Sequence, residues 1–211
     1  MSKTRVLIAD DHQIVAEGLR GLLEPEFELV GIVADGREML AAAAALRPDV
    51  VVLDITMPIL NGIEAAGQLR ASGSDAKVIF LTMHRDAAYA ARALDAGAVG
   101  FVLKHAATAE LLTAIRAAVQ GRTYVTPLIA AEILQKYRDG HPETTFDQLT
   151  SRQREVLQLV AEGRTAKEIA RLLHISPRTA EFHKARLIKV LGAAGTADLV
   201  RHAIQHGLIP G

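Results

Sequence analysis

What most constrains this chain is a regular alternation over its first 123 residues. Short runs rich in β-branched residues, RVLIA (5–9), ELVGIV (28–33), DVVVL (49–53), KVIFLT (77–82) and GFVLK (100–104), alternate with longer Ala- and Leu-rich segments. Those segments, HQIVAEGLRGLL, GREMLAAAAALR, NGIEAAGQLRAS, DAAYAARALDA and TAELLTAIRAAVQ, have helical spacing. Parallel strands need crossover connections, and these are right-handed. Five strand-plus-helix units therefore predict an α/β fold: a five-stranded doubly wound parallel sheet with helices on both faces. The near-continuous apolar runs of the first, third and fourth strands fit strands covered on both sides.

From Thr126 the pattern stops. TPLIAAEILQKYRDG predicts one helix, with Pro127 in its first turn and Gly140 just past its end, and HPETTFDQ reads as a polar linker. The remainder is helical. Thr150 with Gln153 makes a capping box before REVLQLVAEG, and Thr165 with Glu168 makes another before IARLLH. Ser176-Pro177 supplies a cap and a first-turn proline for RTAEFHKARLIKVLG, and ADLVRHAIQHG forms a last helix ending at Gly207. The short LHISP turn has helix-turn-helix spacing. The expected organisation is a first domain over 1–123, a helix and polar linker over 124–146, and a second, smaller all-α helix-turn-helix domain over 147–211.

Charge follows the same division. Residues 1–123 carry 12 basic against 15 acidic residues, a net −3, whereas residues 147–211 carry 10 against 6, a net +4. A basic tail on an acidic body is the asymmetry expected if only the tail meets a polyanion. The absence of cysteine excludes disulfides and thiolate metal sites and fits a reducing cytoplasm. The N-terminal MSKTRVLIAD is too short in apolar residues for a signal peptide, and no run approaches the roughly 20 needed to span a membrane.

Several strands end in chemistry. Asp10 and Asp11 follow the first strand and Asp54 the third, and in a sheet ordered 2-1-3-4-5 the ligand crevice opens between those two strands. Three carboxylates in one place call for a cation, and hard oxygen donors suit Mg²⁺ or Mn²⁺. The fourth and fifth strands add Thr82 and Lys104 to the same rim. A metal, an ammonium and a hydroxyl around one carboxylate are what phosphoryl transfer to that carboxylate requires, with Asp54 as nucleophile and phosphoacceptor. A nucleotide-binding Rossmann domain is disfavoured, because DDHQIVAEG after the first strand lacks a Gly-rich phosphate loop.

IADDH (8–12), LDITMPILNG (53–62), LTMH (81–84) and GFVLKH (100–105) make residues 1–123 resemble the flavodoxin-like receiver domain of two-component response regulators. The resemblance implies that Asp10, Asp11 and Asp54 hold the metal together with the backbone carbonyl of Thr56, and that Thr82 and Phe101 are the switch pair. Phe101 stands where the family often has Tyr. Residues from LTSRQREVLQLV to LVRHAIQHGLI resemble the LuxR-type DNA-binding domain, so the whole chain is similar to response regulators of the NarL/FixJ class. No stretch resembles an autoinducer-binding domain.

In the third helix of the second domain, Ala180, Leu187 and Leu191, with His183 at the edge, form the inner stripe. Glu181, Phe182, Lys184, Ala185 and Lys189 lie on or beside the outer face, as suits a helix in the major groove. Phe182 or Ala185 would reach a thymine methyl, Glu181 would accept from cytosine N4, and Lys184, Lys189 and Arg178 would hold phosphates, with Thr179 beside Arg178 among the candidate DNA contacts. The segment AAGT (193–196) departs from the family's polar connection, putting one phosphate contact in doubt.

The resemblance implies a transcriptional regulator phosphorylated on Asp54 by a sensor histidine kinase or small phosphodonor. Its partners would be double-stranded promoter DNA, RNA polymerase and a second copy of itself. The family pattern is that the unphosphorylated receiver masks the DNA-binding domain, and that release permits dimerisation through the last helix, about Ala197 to His206. Two alternatives stay open: a phosphorylation-independent DNA-binding regulator with a vestigial receiver, and an aspartyl-phosphate phosphohydrolase. The second would normally carry an acid where this chain has Thr56.

Overall fold

The computed structural model describes residues 3–139 and 145–210. Its first part alternates β1 (Arg5–Ala9), α1 (Gln13–Leu23), β2 (Glu28–Val33), α2 (Gly36–Leu46), β3 (Val50–Leu53), α3 (Gly62–Ala71), β4 (Lys77–Thr82), α4 (Ala87–Asp95), β5 (Gly100–Leu103) and α5 (Ala107–Val119). The strands are parallel in the order β2-β1-β3-β4-β5, so the order reverses between β1 and β3. Period-2 alternation sorts the side chains. Leu7, Ala9, Val51 and Leu53 face a core shared with α2, α3 and α4, whereas Val6, Ile8, Val50 and Val52 face one shared with α1 and α5.

The sheet has six strands rather than five. β6 (Tyr124–Val125) adds a parallel edge beside β5, pairing Gly100 with Tyr124 and Phe101 with Val125. Thr126 fixes this edge: its N–H donates to the Phe101 carbonyl, and its hydroxyl accepts from the Leu103 N–H. Two residues are too few to show a period-2 pattern, so the strand exists through its partner. The next helix, α6 (Pro127–Asp139), packs along α4 and puts Ile129 and Ile133 into the core shared with α2, α3 and α4. The expected end signal at Gly140 lies outside the described residues.

The second part contains α7 (Ser151–Ala161), α8 (Ala166–Leu173), α9 (Pro177–Leu191) and α10 (Thr196–Gln205) around one apolar cluster from Phe146 to Leu208. Both capping boxes form, on Thr150 with Gln153 and on Thr165 with Glu168. Ser176 caps α9 with Pro177 in its first turn. His174 ends α8 in the left-handed region and sets the tight turn into α9. Among the described residues no helix is long and apolar enough to cross a membrane.

Candidate functional site

The carboxyl ends of β1, β3, β4 and β5 bring five of the expected residues together. Asp54 leaves β3 and is buried; its Oδ1 accepts the Ile55 N–H at 2.7 Å, and its Oδ2 accepts from Lys104 Nζ at 2.6 Å. The same ammonium lies 2.8 Å from Asp10 Oδ2, so one cation bridges two buried carboxylates. Burial raises the Asp54 carboxyl above its ordinary value, against the pull of Lys104 and its hydrogen bond. Burial opposes the charge on Lys104 too, but Asp54 and Asp10 outweigh it and raise its pKa. Ionising Asp54 is thus costly, and a further cation would relieve that cost.

Donor atoms of Asp10, Asp11, His12 and Asp54 lie within 4.8 Å of one another. Three carboxylates offer hard oxygen donors, a set that fits Mg²⁺ or Mn²⁺. The His12 ring, not named among the expected ligands, joins them through Nδ1, 2.8 Å from Asp11 Oδ1.

Thr82 is fully buried at the end of β4, and its Oγ1 accepts the His84 N–H at 3.2 Å. His84 turns back through Nε2 to the Thr56 hydroxyl at 2.7 Å. Its ring stacks on Tyr89 of α4, with centroids 4.4 Å apart. Phe101 is fully buried in the core, facing inward. The aromatic side chain next to the rim and partly exposed is Tyr89 instead.

Backbone geometry explains the loop after Asp54. A Cβ on Gly62 would lie 2.0 Å from the Asp54 carbonyl oxygen, so only glycine lets the chain fold back this closely. Asn61 caps α3, its Oδ1 accepting the Glu64 N–H at 3.1 Å. Ile59 sits at φ 68, a strained position for a β-branched residue.

This loop is also where the two halves meet. Gln158 of α7, fully buried, accepts from the Asn61 N–H at 2.9 Å and from its side-chain amide at 3.1 Å, and donates to the Met57 carbonyl at 2.8 Å. Glu162 accepts the Ile59 N–H at 2.8 Å. Around this grip lie Arg37 with Glu155 at 2.9 Å, Gln68 with Glu155 at 3.1 Å, and Glu64 with Ser151 and Arg154. At the far end, Tyr89 and Arg92 of α4 reach the carbonyls of Gln205 and His206. None of these contacts was read from the sequence. The one signal available was Gln158, an amide among the apolar residues of α7.

The recognition face is not covered. Arg178, Glu181, Phe182, Ala185 and Lys189 of α9 are exposed, Phe182 by 60%, while Thr179 and Lys184 are half-buried. Ala180 and Leu187 are buried and Leu191 half-buried, as the inner stripe requires. His183 keeps Nδ1 buried without a partner, and burial with Arg152 and Arg186 lowers its pKa. The first part of the chain therefore contacts α7 and the end of α10, not the outward surface of α9.

Comparisons with known proteins agree with this architecture. Residues 6–116 match the response regulator receiver domain, and residues 147–203 match the bacterial regulatory proteins of the luxR family. The transcriptional regulatory protein MctR of Rhizobium johnstonii is 36% identical over 98% of this chain and 96% of its own. LiaR of Bacillus subtilis is 35% identical over 97% of this chain and 99% of its own. A solved LuxR-family response regulator from Aurantimonas sp. is 40% identical, with TM-score 0.62, over 66% of this chain and 100% of its own. RcsB of Salmonella typhimurium is 29% identical, with TM-score 0.66, over 96% of this chain and 97% of its own. RcsB has also been solved as a DNA complex, 26% identical to this chain with TM-score 0.61 over 98% of this chain and 100% of that one. With family matches over residues 6–116 and 147–203 and relatives above 30% identity along nearly the whole chain, this chain belongs to the LuxR-type transcriptional response regulators, a receiver domain joined to a helix-turn-helix domain.

Proposed function

We propose that this chain is a phosphorylation-switched DNA-binding regulator, with Asp54 as phosphoacceptor and residues 147–210 as the DNA-binding part. One observation carries the reading: the loop gripped by Gln158 begins at the carboxylate that Lys104 shares with Asp10. A charge added to Asp54 is thus felt within a few residues of the interdomain contact. The receiver unit extends through α6, whose Ile129 and Ile133 share its core.

In the transfer step, a carboxylate oxygen of Asp54 attacks the phosphorus of a phosphohistidine on a sensor histidine kinase, or of an acyl phosphate. A new P–O bond forms as the bond to the donor breaks. The leaving group departs with the electron pair, as imidazole after taking up a proton or as a carboxylate. Asp10, Asp11, Asp54 and the Thr56 carbonyl would hold Mg²⁺ or Mn²⁺, which supplies positive charge to the phosphoryl oxygens when bound. Lys104 leaves its bridge to meet a phosphoryl oxygen, and Thr82 Oγ1 turns from the His84 N–H to donate to another. Thr56 binds His84 through its hydroxyl and gives no acid at the position where a phosphohydrolase carries one, so turnover of an external ester is not part of this reading.

On the DNA side, Arg178, Lys184 and Lys189 with Thr179 would meet phosphates, and Glu181, Phe182 and Ala185 the base edges. Homodimerisation, promoter DNA, RNA polymerase and a cytoplasmic location complete the proposal. Incubation with acetyl phosphate and Mg²⁺ tests it: intact mass should rise by one phosphoryl group in the wild type and not in Asp54→Asn. No mass gain, or one that persists in the variant, removes the assignment.

A further inference from the structure

We propose that His84 and Tyr89 form the relay that reports the state of Asp54 to the end of α10, and that Tyr89 and Arg92 hold that end against the receiver. The proposal rests on Asp54 being the phosphoacceptor. His84 is bonded to both threonines that flank Asp54: its backbone N–H donates to Thr82 Oγ1, and its ring reaches the Thr56 hydroxyl. When Thr82 turns toward a phosphoryl oxygen, the His84 N–H loses its acceptor while the ring stays tied to Thr56, so the loop must shift. The ring stack carries that shift to Tyr89.

Tyr89 and Arg92 lie three residues apart, on one face of α4. The Tyr89 hydroxyl donates to the Gln205 carbonyl at 3.3 Å, and Arg92 Nη1 donates to the His206 carbonyl at 3.1 Å. The last carbonyls of a helix have no partner within it, so the receiver caps α10 from another domain. Arg92 also lies over the Phe146 ring, which stacks on His206. Gly207 leaves room for this fit: at φ +66, a Cβ there would lie 2.3 Å from Tyr89 Cε1. A second copy of the chain seeking α10 would compete with this cap.

The test measures an interdomain distance in the full chain by paired spin labels, with and without acetyl phosphate and Mg²⁺, while intact mass reports phosphorylation. The wild type should be docked without the donor and separated with it. Without the donor, Tyr89→Ala and Gly207→Ala should each raise the undocked fraction about tenfold, the scale of one lost hydrogen bond and its contact. The double variant should separate no further than Tyr89→Ala, because the backbone strain of Ala at φ +66 is the same docked or undocked and only the collision with that ring depends on docking. In His84→Phe, which keeps a ring to stack on Tyr89 but cannot bond Thr56, donor-driven separation should be smaller than in the wild type at equal phosphoryl mass. Wild-type docking in Tyr89→Ala and Gly207→Ala overturns the cap, and full separation of phosphorylated His84→Phe overturns the relay. If the wild type gains no phosphoryl mass, the phosphoacceptor reading fails instead, and the donor-free arms still decide the cap.

Discussion

At the scale of single residues, Asp54 shows how burial prepares a site. Because burial raises its carboxyl, the group contributes fully to stability only below the ordinary carboxylate value, and that contribution is lost as pH rises through the raised one. Without divalent cations, Asp54→Asn should therefore be at least as stable as the wild type at pH 7, with the difference shrinking on acidification toward pH 4. Thermal unfolding across that range checks it, and a variant clearly less stable at pH 7 contradicts it. Adding Mg²⁺ at about a hundred times its dissociation constant should stabilise the wild type by about 2.7 kcal/mol and Asp54→Asn far less. Equal stabilisation of both would place the ion elsewhere. Asp10, Asp11, Thr82 and Lys104 were legible beside Asp54 because each ends an apolar strand, and strand ends in this topology share one rim. His12 was not, because a histidine opening a helix reads as a solvated end. Tyr89 was not, because its partner Gln205 lies 116 residues away and the bond uses a backbone carbonyl that any residue could supply.

At the scale of elements, the contact between the β3–α3 loop and α7 centres on Gln158, whose side-chain amide uses both its acceptor and its donor end. Gln158→Ala would leave the Asn61 N–H and the Met57 carbonyl buried without partners as long as the domains stay docked. Each such group costs about 1–3 kcal/mol, so the docked fraction should fall at least tenfold. Small-angle scattering or limited proteolysis between the domains reads this out; unchanged docking would mean the grip is incidental. Glu155 adds a pH dependence. Burial raises its carboxyl in the docked form, partly offset by Arg152 and Arg37 and aided by Glu64. Undocked and hydrated, it returns to the ordinary range, so its preference for docking is full at acid pH and declines as pH rises through the raised value. Docking should thus strengthen on acidification below neutrality, and Glu155→Gln should flatten that trend. The capped helices were legible because a capping box is a local pattern of four residues. β6 was missed because it is defined by β5, and the docking surface because its pairs are separated by about half the chain.

At the scale of the molecule, the exposed face of α9 decides which kind of switch this fold can be. Phe182, Arg178 and Lys189 face solvent while the domains are docked, so docking leaves contact with one half-site open. What it engages is α7 and, through Tyr89 and Arg92, the last turn of α10. The switch should therefore act on pairing of two copies, not on access to DNA. Affinity for an isolated half-site should be weak, set by few phosphate contacts, and unchanged within about twofold by acetyl phosphate and Mg²⁺. Affinity for two half-sites related by a dyad should rise on phosphorylation, with binding cooperative in protein concentration. The salt slope adds a second readout, because each phosphate contact contributes about −0.9 to the dependence of log K on log salt. Two bound copies should double the slope of one, and Arg178→Ala should lower it by about 0.9 per copy on every sequence tried. Anisotropy titrations on half-site and dyad duplexes at several salt concentrations separate the cases. If half-site affinity rises on phosphorylation as much as dyad affinity, the receiver restrains α9 itself and pairing through α10 is not the controlled step.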